Sequence, residues 1–342
     1  MAARSTQEVR ARLEDVARAA GVSKSTASRI LNGSPGLVVR PETRERVRLA
    51  ASRLRYRPHA AARGLKRAQT GALGLLIPNL TMPVYSRIVR GAVARAFERD
   101  VAVVLVEDLD DGSTDRSLEA LVRSARTDGL MIASSRRRHP LPPLLRRAGV
   151  PHVYVNRCVR GSGRNVRMAD ELAMVAGLDH LYALGHRRIG LIAGPEGNDP
   201  AARRAAGFRR HARTLGLELA RVEEGDFTEA GGAKAARRLL RRDGKLTAIA
   251  TGGLSQAIGA LHAAWELGHR VPDDLSVLTI DDLSLAEYLR PPLTSVRMPL
   301  GELGAAAVDA ILLQLDGGDP RDVVVETRPE VVVRSSTARP AS

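Results

Sequence analysis

A chain of 342 residues with 53 Lys and Arg against 38 Asp and Glu carries a formal charge of +15, and only 3% of its residues are aromatic. Its single cysteine, Cys158, excludes an internal disulfide and fits a reducing compartment. No apolar run approaches bilayer-spanning length and the N-terminus lacks the apolar core of a signal peptide, so the expected setting is cytoplasmic, without a membrane partner.

Residues 1–11 are polar and read as a disordered tail. The stretch that follows, LEDVARAAGVSKSTASRILNG, reads as two short helices joined by a tight turn. Leu13, Val16, Ala17 and Ala20 recur at helical spacing, Gly21 supplies the turn, Val22 plugs the junction and Ser23 is placed to cap the second helix. That helix buries Ala27, Ile30 and Leu31 and presents Lys24, Ser25, Ser28, Arg29 and Asn32, a set that suits the major groove of DNA. The bland reading is an ordinary surface helix pair. Charge weighs against it: residues 1–67 hold sixteen basic and five acidic residues, a surplus of eleven, which leaves only +4 for the remaining 275. A basic head on a nearly balanced body is the footprint of a nucleic-acid-binding module.

A third helix opens at Pro41-Glu42, with Val47, Ala50, Ala51 and Leu54 as its apolar stripe, and Tyr56 follows. These place a helix-turn-helix domain over residues 12–57. The segment 58–69 is helix-prone but too short to be stable alone, with Leu65 the one large apolar residue beside Lys66 and Arg67. Two readings stand: a minor-groove wedge ordered on DNA, or a plain linker with Leu65 packed on the body.

From Thr70 onward, apolar strand-like runs alternate with amphipathic helical stretches. The strands are expected at 72–77, 101–106, 129–133, 150–155, 189–193, 248–250, 275–280 and 323–325. The helices are expected at 84–99, 115–126, 169–184, 201–215, 230–242 and 254–267. Such alternation implies parallel sheets covered by helices on both faces, and the length implies two doubly wound lobes with a ligand crevice between them at the strand ends.

Enzymatic readings find little support. No GxSxG elbow surrounds a serine, no GxxxxGK[ST] phosphate loop occurs, and the glycine pairs lack dinucleotide spacing. The eight histidines form no HExxH, and His186 reads as structural. No catalytic residue, cofactor or metal is expected.

Three segments together resemble the lactose-repressor (LacI/GalR) family of bacterial transcription regulators nearly end to end. They are the helix-turn-helix stretch with PETRERV and YRPHAAARGLKR behind it, HLYALGHRRIGLIAGP with RRAAGF, and VPDDLSVLTIDDLSLAEYLRPPLTSVRMPLGELGAAAVDAILLQL. The resemblance implies an all-α DNA-binding head on a periplasmic-binding-protein-like α/β core spanning 70–334. Lobe 1 would comprise about 70–167 plus 298–320, lobe 2 about 168–297 plus 321–334, with 335–342 a tail. It implies a repressor that binds a palindromic double-stranded operator as a homodimer, or within a tetramer, with affinity changed by a small carbohydrate-like effector. The dimer contacts fall by resemblance on the 84–99 helix region and the C-terminal lobe.

Carried over residue by residue, Lys24, Ser25 and Arg29 match the base-reading positions, while Ser23, Thr26, Ser28 and Asn32 match positions on phosphate or sugar. Tyr56 completes the DNA-contacting set, Leu65 matches the intercalating hinge leucine and Lys66 its basic neighbour. Tyr85, Asn156, Arg204 and Asp281 match effector-facing positions and converge on one cleft, although each alone is usually just a solvated or capping residue. The departures are Gly64, a helix-weakening residue inside the hinge; Gly253-Leu254 in place of a frequent Asn-Asp pair; Met168-Ala169-Asp170 in place of Val-Asp-Asn; and Thr279 in place of Gly. Lost polar partners imply an effector smaller, less hydroxylated or other than a sugar. A second functional reading stays open: a cytoplasmic solute-binding or enzymatic core with a head that binds nucleic acid without sequence preference.

Overall fold

The computed structural model describes residues 11–31, 37–56, 70–108, 119, 126–134, 141–242 and 245–341. The chain divides into two compact units, Met1–Gly71 and Ala72–Ser342.

The first unit holds three helices, α1 (Leu13–Ala19), α2 (Lys24–Leu31) and α3 (Pro41–Arg53). Arg12 N–H donates to Asp15 Oδ2 at 2.8 Å where α1 starts. Val22 N–H closes its far end on Ala17 O at 3.0 Å, while Gly21 takes φ +64°, a left-handed value suited to glycine. Val16, Ala17 and Ala20 of the first helix region meet Ala27 and Ile30 of α2 and Val47, Ala50 and Ala51 of α3 in one small core. Small side chains let the three helices approach closely. Leu54 departs from the expected stripe: it lies just past the end of α3 and is 37% exposed. Leu31 is only partly buried.

The second unit contains two six-stranded sheets built to one plan. Sheet 1 holds β1 (Ala72–Ile77), β2 (Ala102–Glu107), β3 (Gly129–Ile132), β4 (His152–Val155), β5 (Asn165–Arg167) and β11 (Val323–Val324), in the order β11-β5-β4-β3-β1-β2. Sheet 2 holds β6 (Arg188–Ala193), β7 (Leu219–Glu224), β8 (Ala248–Thr251), β9 (Ser276–Ile280), β10 (Thr294–Arg297) and β12 (Glu330–Val332), in the order β12-β10-β9-β8-β6-β7. All the pairings are parallel except β10 with β12. Strands buried on both faces read as unbroken apolar runs, as ALGLLI and RIGLIA do. In each sheet the strand order reverses beside the first strand, and there the carboxyl ends open a crevice.

The chain passes between lobes after β5, after β10 and after β11. This corrects the expected lobe boundary. Val323 and Val324 pair with Val166 and Arg167 at the edge of sheet 1, so they belong to lobe 1 rather than lobe 2. The expected C-terminal tail is also corrected, because residues 335–341 strap lobe 2. Ser336 is fully buried, donating to Val277 O at 2.5 Å and accepting from Thr294 N–H at 2.8 Å. His186 Nε2 reaches Ala338 O at 2.8 Å and His180 Nε2 reaches Thr337 Oγ1 at 2.9 Å. Burial lowers the pKa of both histidines, and because a carbonyl oxygen only accepts, His186 Nε2–H is the donor to Ala338 O. A polar composition hid this strap because its hydrogen bonds, not its hydropathy, hold it.

Two helix pairs cover the sheets at close range: α4 (Pro83–Glu98) with α11 (Leu300–Leu315) in lobe 1, and α8 (Glu229–Arg242) with α9 (Leu254–Glu266) in lobe 2. A Cβ on Gly259 would stand 2.0 Å from Glu229 O, and one on Gly304 2.1 Å from Ile88 O, both far inside van der Waals contact. Glycine is needed there for backbone approach. Gly259→Val is expected to lower stability by at least about 1–3 kcal/mol in a urea titration. The control Gly301→Ala, whose Cβ would meet nothing within 4 Å, should be neutral or slightly stabilising.

Candidate functional site

In the head, Ser23 Oγ accepts from Thr26 N–H at 3.1 Å and caps α2, which leaves the next side chains to point outward. At about 100° per residue, Lys24, Ser25, Ser28 and Arg29 share an arc of roughly 140°, opposite Ala27 and Ile30. Lys24, Ser25 and Arg29 are exposed, whereas Thr26 and Ser28 are partly buried. Lys24 Nζ meets Glu14 Oε1 at 2.5 Å, and that hydrogen bond holds the Glu14 carboxyl below its ordinary value. An exposed pair of this kind is weak, so the lysine is easily released to a phosphate or base. Tyr56 packs partly buried on the three-helix core. Asn32, Leu65 and Lys66, with Gly64 and the whole 58–69 segment, lie outside the described residues.

In the core, Tyr85, Asn156, Arg204 and Asp281 all line one cleft between the lobes, open to solvent. Asn156 and Asp281 stand just past the carboxyl ends of β4 and β9, at φ +56° and +73°. Left-handed backbone at a residue other than glycine stores strain, and here it turns two polar side chains into the crevice from opposite lobes. Asn156 Oδ1 and Asp281 Oδ1 are buried without a hydrogen-bond partner. Tyr85 is buried at the start of α4, and burial raises its phenol pKa above the usual range.

Arg204 projects from α7 (Asp199–Thr214) and is 4% exposed. Its Nε donates to Asp170 Oδ1 at 2.9 Å, and its Nη1 to Gly252 O at 2.5 Å and Asp281 Oδ2 at 3.4 Å. Arg203 donates to Asp170 Oδ2 at 2.5 Å and pairs with Asp199. Asp199 Oδ2 in turn accepts from Cys158 N–H at 2.9 Å, a bond from lobe 2 to lobe 1. A chain of charges thus runs from Asp199 through Arg203, Asp170 and Arg204 to Asp281.

Several of these residues escaped sequence reasoning. Asp170, fully buried at the start of α6 (Asp170–Ala183), counted there only as a departure from a motif, yet it anchors both arginines. Phe227 gave no signal at all. Its ring packs against Gly194 and stands over Gly253, filling space left by a residue without a side chain. Thr279 is fully buried with its Oγ1 2.9 Å from that of Thr251, and it is absent from the cavity lining.

A head that carries a helix-turn-helix and a core of two crevice-forming parallel-sheet lobes define a DNA-binding transcription regulator with a periplasmic-binding-protein-like domain. Residues 12–59 match the family model described as bacterial regulatory proteins, lacI family, and residues 178–337 match a periplasmic binding protein-like domain. The ribose operon repressor of Escherichia coli (strain K12) is 33% identical over 332 residues, which cover 95% of this chain and 99% of that protein. The crystal structure of the lac repressor dimer bound to operator and the anti-inducer ONPF superposes with a TM-score of 0.83 at 27% identity, covering 96% of this chain and all of that one. The CelR–cellobiose complex gives a TM-score of 0.73 at 31% identity over the same shares. The chain belongs to the LacI family of bacterial transcriptional regulators and is a repressor-type DNA-binding protein, not an enzyme.

Proposed function

We propose that the protein binds a palindromic operator as a dimer, working in the cytoplasm, and that a small carbohydrate-like effector in the cleft changes its DNA affinity. The observation that carries the effector reading is the pair of buried, unpartnered acceptors, Asn156 Oδ1 and Asp281 Oδ1, on facing walls of one cavity. A buried polar atom left unpaired costs about 1–3 kcal/mol, and a ligand that donates to both atoms recovers it. Arg204 holds the Asp281 carboxylate in place, and Tyr85 offers a ring face.

On the DNA side, α2 enters the major groove with Arg29 on a guanine and Lys24 and Ser25 on neighbouring base edges. Ser23, Thr26, Ser28 and Asn32 set the register on phosphate and sugar, with Tyr56 supporting them from the core. The segment 58–69 acts as a hinge whose Leu65 wedges into the minor groove beside Lys66 on phosphate. Val93 and Phe97, exposed at 46% and 83% on α4, give the dimer an apolar contact.

A selection of genomic fragments with the full-length protein tests the reading. Recovery of one palindromic site, bound by two copies of the chain, is expected, with affinity falling steeply with salt. Recovery of no preferred sequence would overturn it.

A further inference from the structure

We propose that the ligand of this cleft is a polyol carrying a protonated amine, received by Asp281, and that anionic sugars are excluded. The inference rests on the effector reading above and concerns the charge of the ligand.

Among the described residues that line the cavity, Arg204 and Asp281 are the only side chains from the Asp, Glu, Lys and Arg set. Arg204 is largely committed elsewhere: its two shorter bonds go to Asp170 and to Gly252 O, and Asp281 receives the longest. Around this point two guanidiniums, Arg203 and Arg204, serve three carboxylates, Asp170, Asp199 and Asp281. Asp281 is therefore underpaired. Burial pushes its carboxyl pKa up, Arg204 pulls it down and the neighbouring Asp170 pushes it up again. Its Oδ1 is buried and has no hydrogen-bond partner, which leaves it open to a donor on the ligand.

Nearby cations do not make good the deficit. Arg157 lines an adjoining recess with Tyr85 and Asn156, donates to Ser134 O and has Asp108 beside it, although its Nε is buried without a partner. The outer part of the cleft is lined by Glu196 and Glu229, and by no lysine or arginine among the described residues. Among the described residues the entrance thus carries only carboxylates, which favour an incoming cation over phosphate or carboxylate. Tyr85 and Phe227 both line the cavity and supply the aromatic faces that favour an ammonium group. Asn156 Oδ1, on the opposite wall, is left for a ligand hydroxyl.

Titration calorimetry on the full-length protein tests this with matched sugars: glucosamine, N-acetylglucosamine, glucose and glucose 6-phosphate, and the same four in the galactose series. An amino sugar is expected to bind at least about tenfold tighter than its hydroxyl and N-acetyl counterparts, with no detectable binding of the phosphates. In Asp281→Asn that preference should fall to about one, because the charge that selects the amine is gone. Should that variant not fold, the comparison of amine with N-acetyl on the wild-type protein decides alone. A neutral sugar bound as tightly as its amine, binding of a phosphate, or a preference that survives Asp281→Asn overturns the proposal and leaves the effector reading standing. No binding by any sugar of the panel, with operator affinity also unmoved, overturns both.

Discussion

Replacing Arg204 with methionine is expected to lower the stability of the core by about 3–5 kcal/mol, the usual cost of removing one partner from a buried ion pair. Methionine preserves most of the side-chain length, so the loss reports charge rather than a cavity. Asp170 is completely buried and Asp281 is 5% exposed, so neither can turn to water for compensation. Arg203 still pairs with Asp170, whereas Asp281 keeps no cation among its described partners. Urea unfolding followed at several pH values checks this. Asp281 already has a raised pKa in the folded state, and a carboxyl raised in this way costs stability as pH climbs through that pKa. The Arg204→Met variant should therefore regain stability as pH falls towards about 4, the ordinary carboxyl value, and Asp170→Asn in the same background should restore part of the loss at neutral pH. A variant as stable as the parent at neutral pH would show that the network carries no net coupling.

Arg29→Ala and Leu65→Ala are expected to separate the two modes of DNA recognition. Arg29 lies exposed on α2, away from the Ala27 and Ile30 packing that holds the head together, so its removal should leave the fold intact. A bidentate arginine–guanine contact is worth about 1–3 kcal/mol of discrimination, and losing it in both half-sites of a dimer compounds the effect. Operator affinity should fall to near the non-specific level, while binding to random DNA drops only slightly. Leu65→Ala should also weaken operator binding and spare non-specific binding, because a wedge pays only where the groove opens. Fluorescence anisotropy on operator and scrambled duplexes at two salt concentrations distinguishes the cases. Retained discrimination by Arg29→Ala would remove it from the base-reading set, and equal loss on both duplexes for Leu65→Ala would assign that residue to packing.

The regular elements were legible where composition and period agreed. ALGLLI and RIGLIA are strands buried on both faces, and their unbroken hydrophobicity announces it. The short or charged strands were not. Asn165–Arg167 has three residues, and Leu219–Glu224 reads LARVEE because it forms a sheet edge with only one strand neighbour. Leu300–Leu315, quoted as part of the family motif, shows little polar face because it packs between α4 and sheet 1. Glu330–Val332 becomes a strand only through its antiparallel pairing with β10.

The class of the protein is legible in the chain alone. The helix-turn-helix spacing, the concentration of charge in the first 67 residues and the alternation of strand and helix are local properties, each readable within a window of ten to seventy residues. The four effector-facing positions follow from motifs, but the fold decides their electrostatics. Asp170, Arg204, Gly252 and Asp281 are separated by up to 111 positions and meet only because the carboxyl ends of parallel strands converge on one crevice. Phe227 entered the cavity because glycines at 194 and 253 left room for its ring. Burial then set how strongly each charge acts, and burial is a property of the packed chain: a carboxylate worth little in water becomes costly once the solvent around it is removed.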